Sequence, residues 1–142
     1  MPADYLQIAG RLLTQSAVGG RAAEACAAAV GGVHRKLHYR LAPLIGVAGM
    51  SALFARSVKV TSHAFPALVD FPMGTLGGRM NAAEPLGLRL ANMPDAEAWK
   101  AATTLYANLL GLTSSLIGEP LVLLVLKRAF PNFGVAAKQE SE

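Results

Sequence analysis

An all-α bundle is predicted by three features of this sequence. Apolar residues recur at helical spacing through most of its 142 positions. Glycine and proline fall between these periodic runs rather than at the close, regular spacing of a many-stranded sheet. A third feature is an echo: Leu116-Ile117-Gly118 repeats Leu44-Ile45-Gly46 at an offset of 72 residues, with Arg128 opposite Arg56 and Leu109 opposite Leu37. The expectation is a compact bundle of about five or six helices, built around two related helix-turn-helix hairpins.

From the amino terminus, Asp4 is placed to cap a helix whose seam is Tyr5, Ile8, Ala9, Leu12 and Leu13, and Ala17 to Gly20 ends it. Residues 21 to 44 read as largely helical, with Ala23, Cys26, Ala27 and Val30 as a small-residue face. Gly31-Gly32 is expected to kink or divide that run, since each glycine costs about 1 kcal/mol relative to alanine inside a helix. Gly46 supplies a turn, and residues 47 to 60 resume a helix with Met50, Leu53, Phe54 and Val58 on its apolar side.

The stretch from Phe65 to Met80 is irregular, broken by Pro66, Pro72, Gly74, Gly77 and Gly78, yet too apolar for a linker. Core coverage, a ligand gate or a subunit bridge are its three readings. A short helix is expected near Met80–Leu90. Asp95 is the expected N-cap of the next helix, whose two apolar sides are Trp99, Thr103, Tyr106, Leu110 and Leu105, Leu109, Leu112. Gly118 ends it in a left-handed C′ conformation, and Pro120 suits the first turn of a last helix. That helix is expected to bury Leu121, Leu124, Val125 and Arg128 on one side; a buried strand over Leu121–Leu126 is the rival reading. Residues 1–134 form one domain in this scheme, and 135–142 a frayed polar tail.

Composition narrows function by exclusion. The chain is 53% apolar and only 15% charged, which rules out intrinsic disorder and leaves apolar surface for a second copy or a ligand. Residues 105–126 approach membrane-spanning length but hold Asn108, Glu119 and Pro120, so peripheral contact is the more natural membrane reading. No basic segment and apolar signal core open the chain, and cytoplasmic residence is the expectation. Cys26 is the single cysteine, read as a packing residue.

No catalytic residues are assigned, because no nucleophile elbow, local Cys-His arrangement or phosphate loop is present; an enzyme is not expected. His34 and His38 share a helical face and are the only candidates for a metal, without a third ligand at helical spacing. No cofactor is expected.

The net charge of +4 is unevenly placed: no Asp or Glu lies between Glu24 and Asp70, while Arg35, Lys36, Arg40, Arg56 and Lys59 do. The leading expectation is a regulatory or scaffold-like protein-binding module that self-associates, most simply as a homodimer. Arg35, Lys36, Arg40 and Arg56 would orient an acidic protein partner. Phe65, Phe71, Trp99 and Tyr106 are the interface or pocket candidates, and Gly46, Gly118 and Pro120 the structural turns. A small apolar-ligand sensor and a nucleic-acid binder using residues 35–59 are the alternatives.

Overall fold

The computed structural model describes residues 4–17, 20, 22–68 and 83–130. Within them the chain is all helical: α1 Tyr5–Ser16, α2 Ala23–Ser62, α3 Ala83–Ala91, α4 Asp95–Ile117 and α5 Glu119–Ala129, with a 3-10 turn at Pro66–Leu68. The strand reading of Leu121–Leu126 gives way to helix, as Pro120 in the first turn and Lys127-Arg128 in the last imply.

α2 is one element only by its hydrogen bonds. Gly46 sits at φ 82°, ψ 157°, which no residue with a Cβ adopts comfortably, and divides α2 into limbs 23–45 and 47–62. Gly118 repeats that geometry at φ 93°, ψ 144° between α4 and α5. The two Leu-Ile-Gly corners are therefore the same device used twice. By composition α2 is long and apolar enough to cross a membrane, with mean hydropathy 1.5 over its most apolar window, but the break at Gly46 denies it a straight span.

Contacts between the repeats keep the 72-residue offset. The Ala23 N–H donates to Asp95 Oδ1 at 2.9 Å, Cys26 Sγ lies 3.5 Å from the Ala98 carbonyl oxygen, and His34 Nδ1 lies 3.1 Å from the Tyr106 hydroxyl. Equivalent residues thus meet from the start of the two helices to their middle, so the first limb of α2 and α4 run parallel and in register about a pseudo-twofold axis. Small residues at Cys26, Ala29, Ala98, Ala101 and Ala102, all buried, let the two backbones come close. Burial follows the same rule: Val33 and Leu105, Leu37 and Leu109, Met50 and Val122, Phe54 and Leu126 are buried as pairs.

The outer helices cross between repeats. α1 packs chiefly on α4, while α3 packs chiefly on α2. The returning limbs do likewise: Thr61 Oγ1 accepts from Asn108 Nδ2 at 3.0 Å, and Lys36 Nζ stands 5.3 Å from the centre of the Phe130 ring. Neither repeat closes a core alone, which explains why two suffice where an open solenoid would need more.

Three expectations are corrected. Gly31-Gly32 neither kinks nor divides the first limb; the apolar face on either side of it is buried, and that packing outweighs the propensity cost. Asp95 is the first residue of α4 rather than its cap, and its carboxylate instead caps α2, which has no side-chain cap of its own. The short helix expected near Met80–Leu90 is α3, described from Ala83 to Ala91. α5 buries Val122, Val125, Leu126 and Ala129, whereas Leu124 is 45% exposed and Arg128 faces outward.

The Phe65–Met73 segment is described only in its first part. Phe65 packs half-buried against the core and Leu68 is buried, in keeping with core coverage; Phe71 and the 135–142 tail lie outside the described residues.

Candidate anion-binding cleft

The first limb of α2 carries Arg35, Lys36, Tyr39 and Arg40, spaced so that one side of the helix presents them together. All four are exposed, Tyr39 by 69%. α5 supplies the facing wall with Arg128 and Ala129, and the two helices enclose an open cleft of about 330 Å³. Four cations surround it, and no Asp or Glu is among its described lining residues. Aromatic rings hold two of the cations in place: Lys36 over Phe130, and Arg40 with its guanidinium carbon 5.6 Å from the Tyr39 ring centre. Like charges gathered this way repel one another, so an entering anion gains their combined attraction. Arginine forks suit carboxylate or phosphate, and the aromatic side accepts an apolar neighbour.

Three of the four basic candidates, Arg35, Lys36 and Arg40, come together here. The fourth, Arg56, is exposed on the second limb of α2 and does not line the cleft. Its counterpart Arg128 takes the role. Sequence reasoning paired Arg56 with Arg128 but had no means of seeing that the returning helices cross between repeats. The echo was the available signal, and the crossing had to be read from structure.

The aromatic candidates separate. Phe65 and Trp99 line a second surface cleft of about 430 Å³ with Leu6, Ala96, Lys100, Thr103 and Thr104. Tyr106 is fully buried and belongs to the interior, so it offers nothing to a partner of the folded chain.

The histidine pair also lies inside. His34 is 2% exposed and its ring meets Phe54 edge-on at 4.7 Å. Burial, with a smaller contribution from His38, lowers its pKa to about 4. Burial, with Cys26 adding, pushes the Tyr106 phenol well above its ordinary value. A neutral imidazole hydrogen-bonded to a protonated phenol is thus the state at neutral pH. In the tautomer protonated at Nε2, the phenol donates to Nδ1. His38 is buried beside it, 6.4 Å away ring to ring. Among the described residues no three His, Cys, Asp or Glu side chains gather as a metal site requires. Ser57 is buried with its hydroxyl donating to the Leu53 carbonyl.

Comparison with protein-family models, with curated proteins and with solved structures finds no match to this chain.

Proposed function

We propose that this protein is a non-catalytic helical interaction module that takes an acidic protein partner in its basic cleft. The observation that carries this reading is the convergence of Arg35, Lys36 and Arg40 from one repeat with Arg128 from the other around a cleft with no carboxylate among its described lining residues. Arginines beside an apolar, aromatic surface are the residues that dominate protein interfaces, and peripheral charge sets the rate and selectivity of encounter.

The test is binding of a glutamate-rich peptide at low salt. Replacing Arg35, Lys36, Arg40 and Arg128 together by glutamine should abolish it, while Arg56→Gln should leave most of it. Unchanged binding by the fourfold variant defeats the reading. A nucleic-acid partner would declare itself by tighter binding of an oligonucleotide with a steep salt dependence.

Self-association is the second part of the proposal. Because the repeats run in register, both Leu-Ile-Gly corners stand at one end of the bundle, where Leu44, Val47 and Leu116 are 47%, 52% and 60% exposed. Such an apolar end supports contact with a second copy. Leu44→Ser with Leu116→Ser should then lower the sedimentation coefficient at high concentration. A wild-type chain that sediments as a monomer throughout would rule this part out. A ligand-sensor reading is favoured only by the meeting of Phe65 and Trp99, and a Trp99 emission change with an apolar dye would support it.

A further inference from the structure

The bend of α2 leaves an apolar stretch largely uncovered. Among residues 41–58 only Leu41, Met50, Phe54, Ser57 and Val58 are buried, and Arg56 is the one charged side chain. Leu44 and Val47 flank Gly46 in the open, and Leu116 stands the same way beside Gly118. The exposed apolar groups thus gather at the corner end of the bundle, and Leu124, 45% exposed, extends them along α5.

Charge of one sign stands behind this end. Arg40 precedes Leu44 by one helical turn. Arg56 on the returning limb, with Lys127 and Arg128 on α5, follows its corner by nearly three turns, and all four cations are exposed. At 1.5 Å per residue they lie about 9 to 15 Å behind the corner glycines. Residues 25–69 and 98–139 hold a single carboxylate, that of Glu119, half-buried in the first turn of α5 where the helix dipole favours it.

We infer that the corner end docks on an anionic lipid surface: Leu44, Val47 and Leu116 enter the boundary between headgroups and acyl chains, and the cations behind them meet the lipid phosphates and carboxylates. An interfacial helix sinks its apolar face about 5–10 Å, which brings the collar of cations to the level of the headgroups. Each cation held near such a surface strengthens binding roughly fivefold. The contact is shallow, because the break at Gly46 and the charges behind it rule out a span. This goes beyond the reading above, in which the same end meets a second copy. Lipid and copy compete for it, and of the two only the lipid supplies the opposite charge.

The test uses the full chain with vesicles of phosphatidylcholine alone or mixed in equal parts with phosphatidylserine. Cosedimentation should show the mixed vesicles bound at least about tenfold tighter. Arg40 and Arg128 also line the basic cleft, so the leucines separate the two sites. Leu44→Ser with Leu116→Ser, folded like the parent by circular dichroism, should weaken vesicle binding at least about tenfold and leave binding of the glutamate-rich peptide unchanged. An environment-sensitive dye on Val47→Cys, with Cys26 buried and out of reach, should shift to the blue and be quenched by lipids brominated in their acyl chains. Vesicle binding that ignores the leucines, or a dye at 47 that stays in water, means that the cations hold lipid without insertion, and overturns the inference. Absence of vesicle binding overturns it too, in favour of the second copy where the chain sediments as a dimer.

Discussion

His34 and Tyr106 occupy the same position in the two repeats and hydrogen-bond to each other across the bundle at 3.1 Å. The pair marks the axis about which the molecule is arranged. A duplicated chain whose halves merely sat side by side would not bring counterparts together from the first turn to the middle of the paired helices, as Ala23–Asp95, Cys26–Ala98 and this pair do. At this position the phenol donates to the neutral imidazole.

Removing the phenol hydroxyl should be felt as a buried acceptor left without a partner. Tyr106→Phe is expected to cost about 1–3 kcal/mol in urea unfolding with the slope unchanged. Stability equal to that of the parent would mean that the hydrogen bond contributes nothing.

The same pair makes stability depend on pH. Burial lowers the His34 pKa to about 4 when folded, from an ordinary 6.5, so the folded state resists the proton that the unfolded chain accepts. Its contribution is complete above about pH 6.5 and is lost as pH falls towards 4, on the order of 3 kcal/mol in all. A His34→Phe, Tyr106→Phe double variant removes the titrating group without stranding a partner. Its unfolding free energy should fall less than the parent's over that interval, and parallel profiles would contradict the assignment.

Glycine should divide into two classes. Gly46→Ala and Gly118→Ala force a Cβ into positive φ, and each should destabilise by about 1–3 kcal/mol, by similar amounts because the corners are equivalent. Gly31→Ala lies inside a helix with open space for the methyl group and should stabilise by about 0.5–1 kcal/mol. Thermal melts of the three variants check this. A Gly46→Ala protein as stable as the parent would contradict the break in α2.

Asp95→Ala should loosen a helix other than its own. The Ala23 N–H loses its acceptor, so faster amide hydrogen exchange is expected in the first turn of α2, with a loss of about 1 kcal/mol overall. Faster exchange confined to α4 would show that the carboxylate serves its own helix instead.

These relationships set what could be read beforehand. Helical periodicity, the capping role of Asp4 and the two Leu-Ile-Gly corners were legible because each is a local rule acting within a few residues. The echo itself was legible as spacing. What it meant in space was not: Asp95 looks like an ordinary cap until α2 arrives beside it, and Arg128 looks like a repeat of Arg56 until the returning helices cross. Tyr106 shows the limit from the other side. An aromatic on a two-faced helix reads equally as anchor or core, and only the position of its counterpart His34 decides. The rotation of α5, which hides Val122 and leaves Leu124 outside, escaped for a related reason. A run of consecutive aliphatic residues has no preferred face until a neighbour selects one.

The proposal is that the cations of the first repeat, at positions where the second carries neutral residues, take an acidic protein partner. It is tested most directly by giving the first repeat the second one's residues. The variant Arg35→Ala, Lys36→Asn, Arg40→Leu keeps a helix-compatible sequence and should melt close to the parent. Calorimetric titration with a glutamate-rich peptide should show affinity weakened by at least about tenfold, with most of the salt dependence gone. An isotherm identical to the parent's, in a variant that is equally folded, would contradict the account.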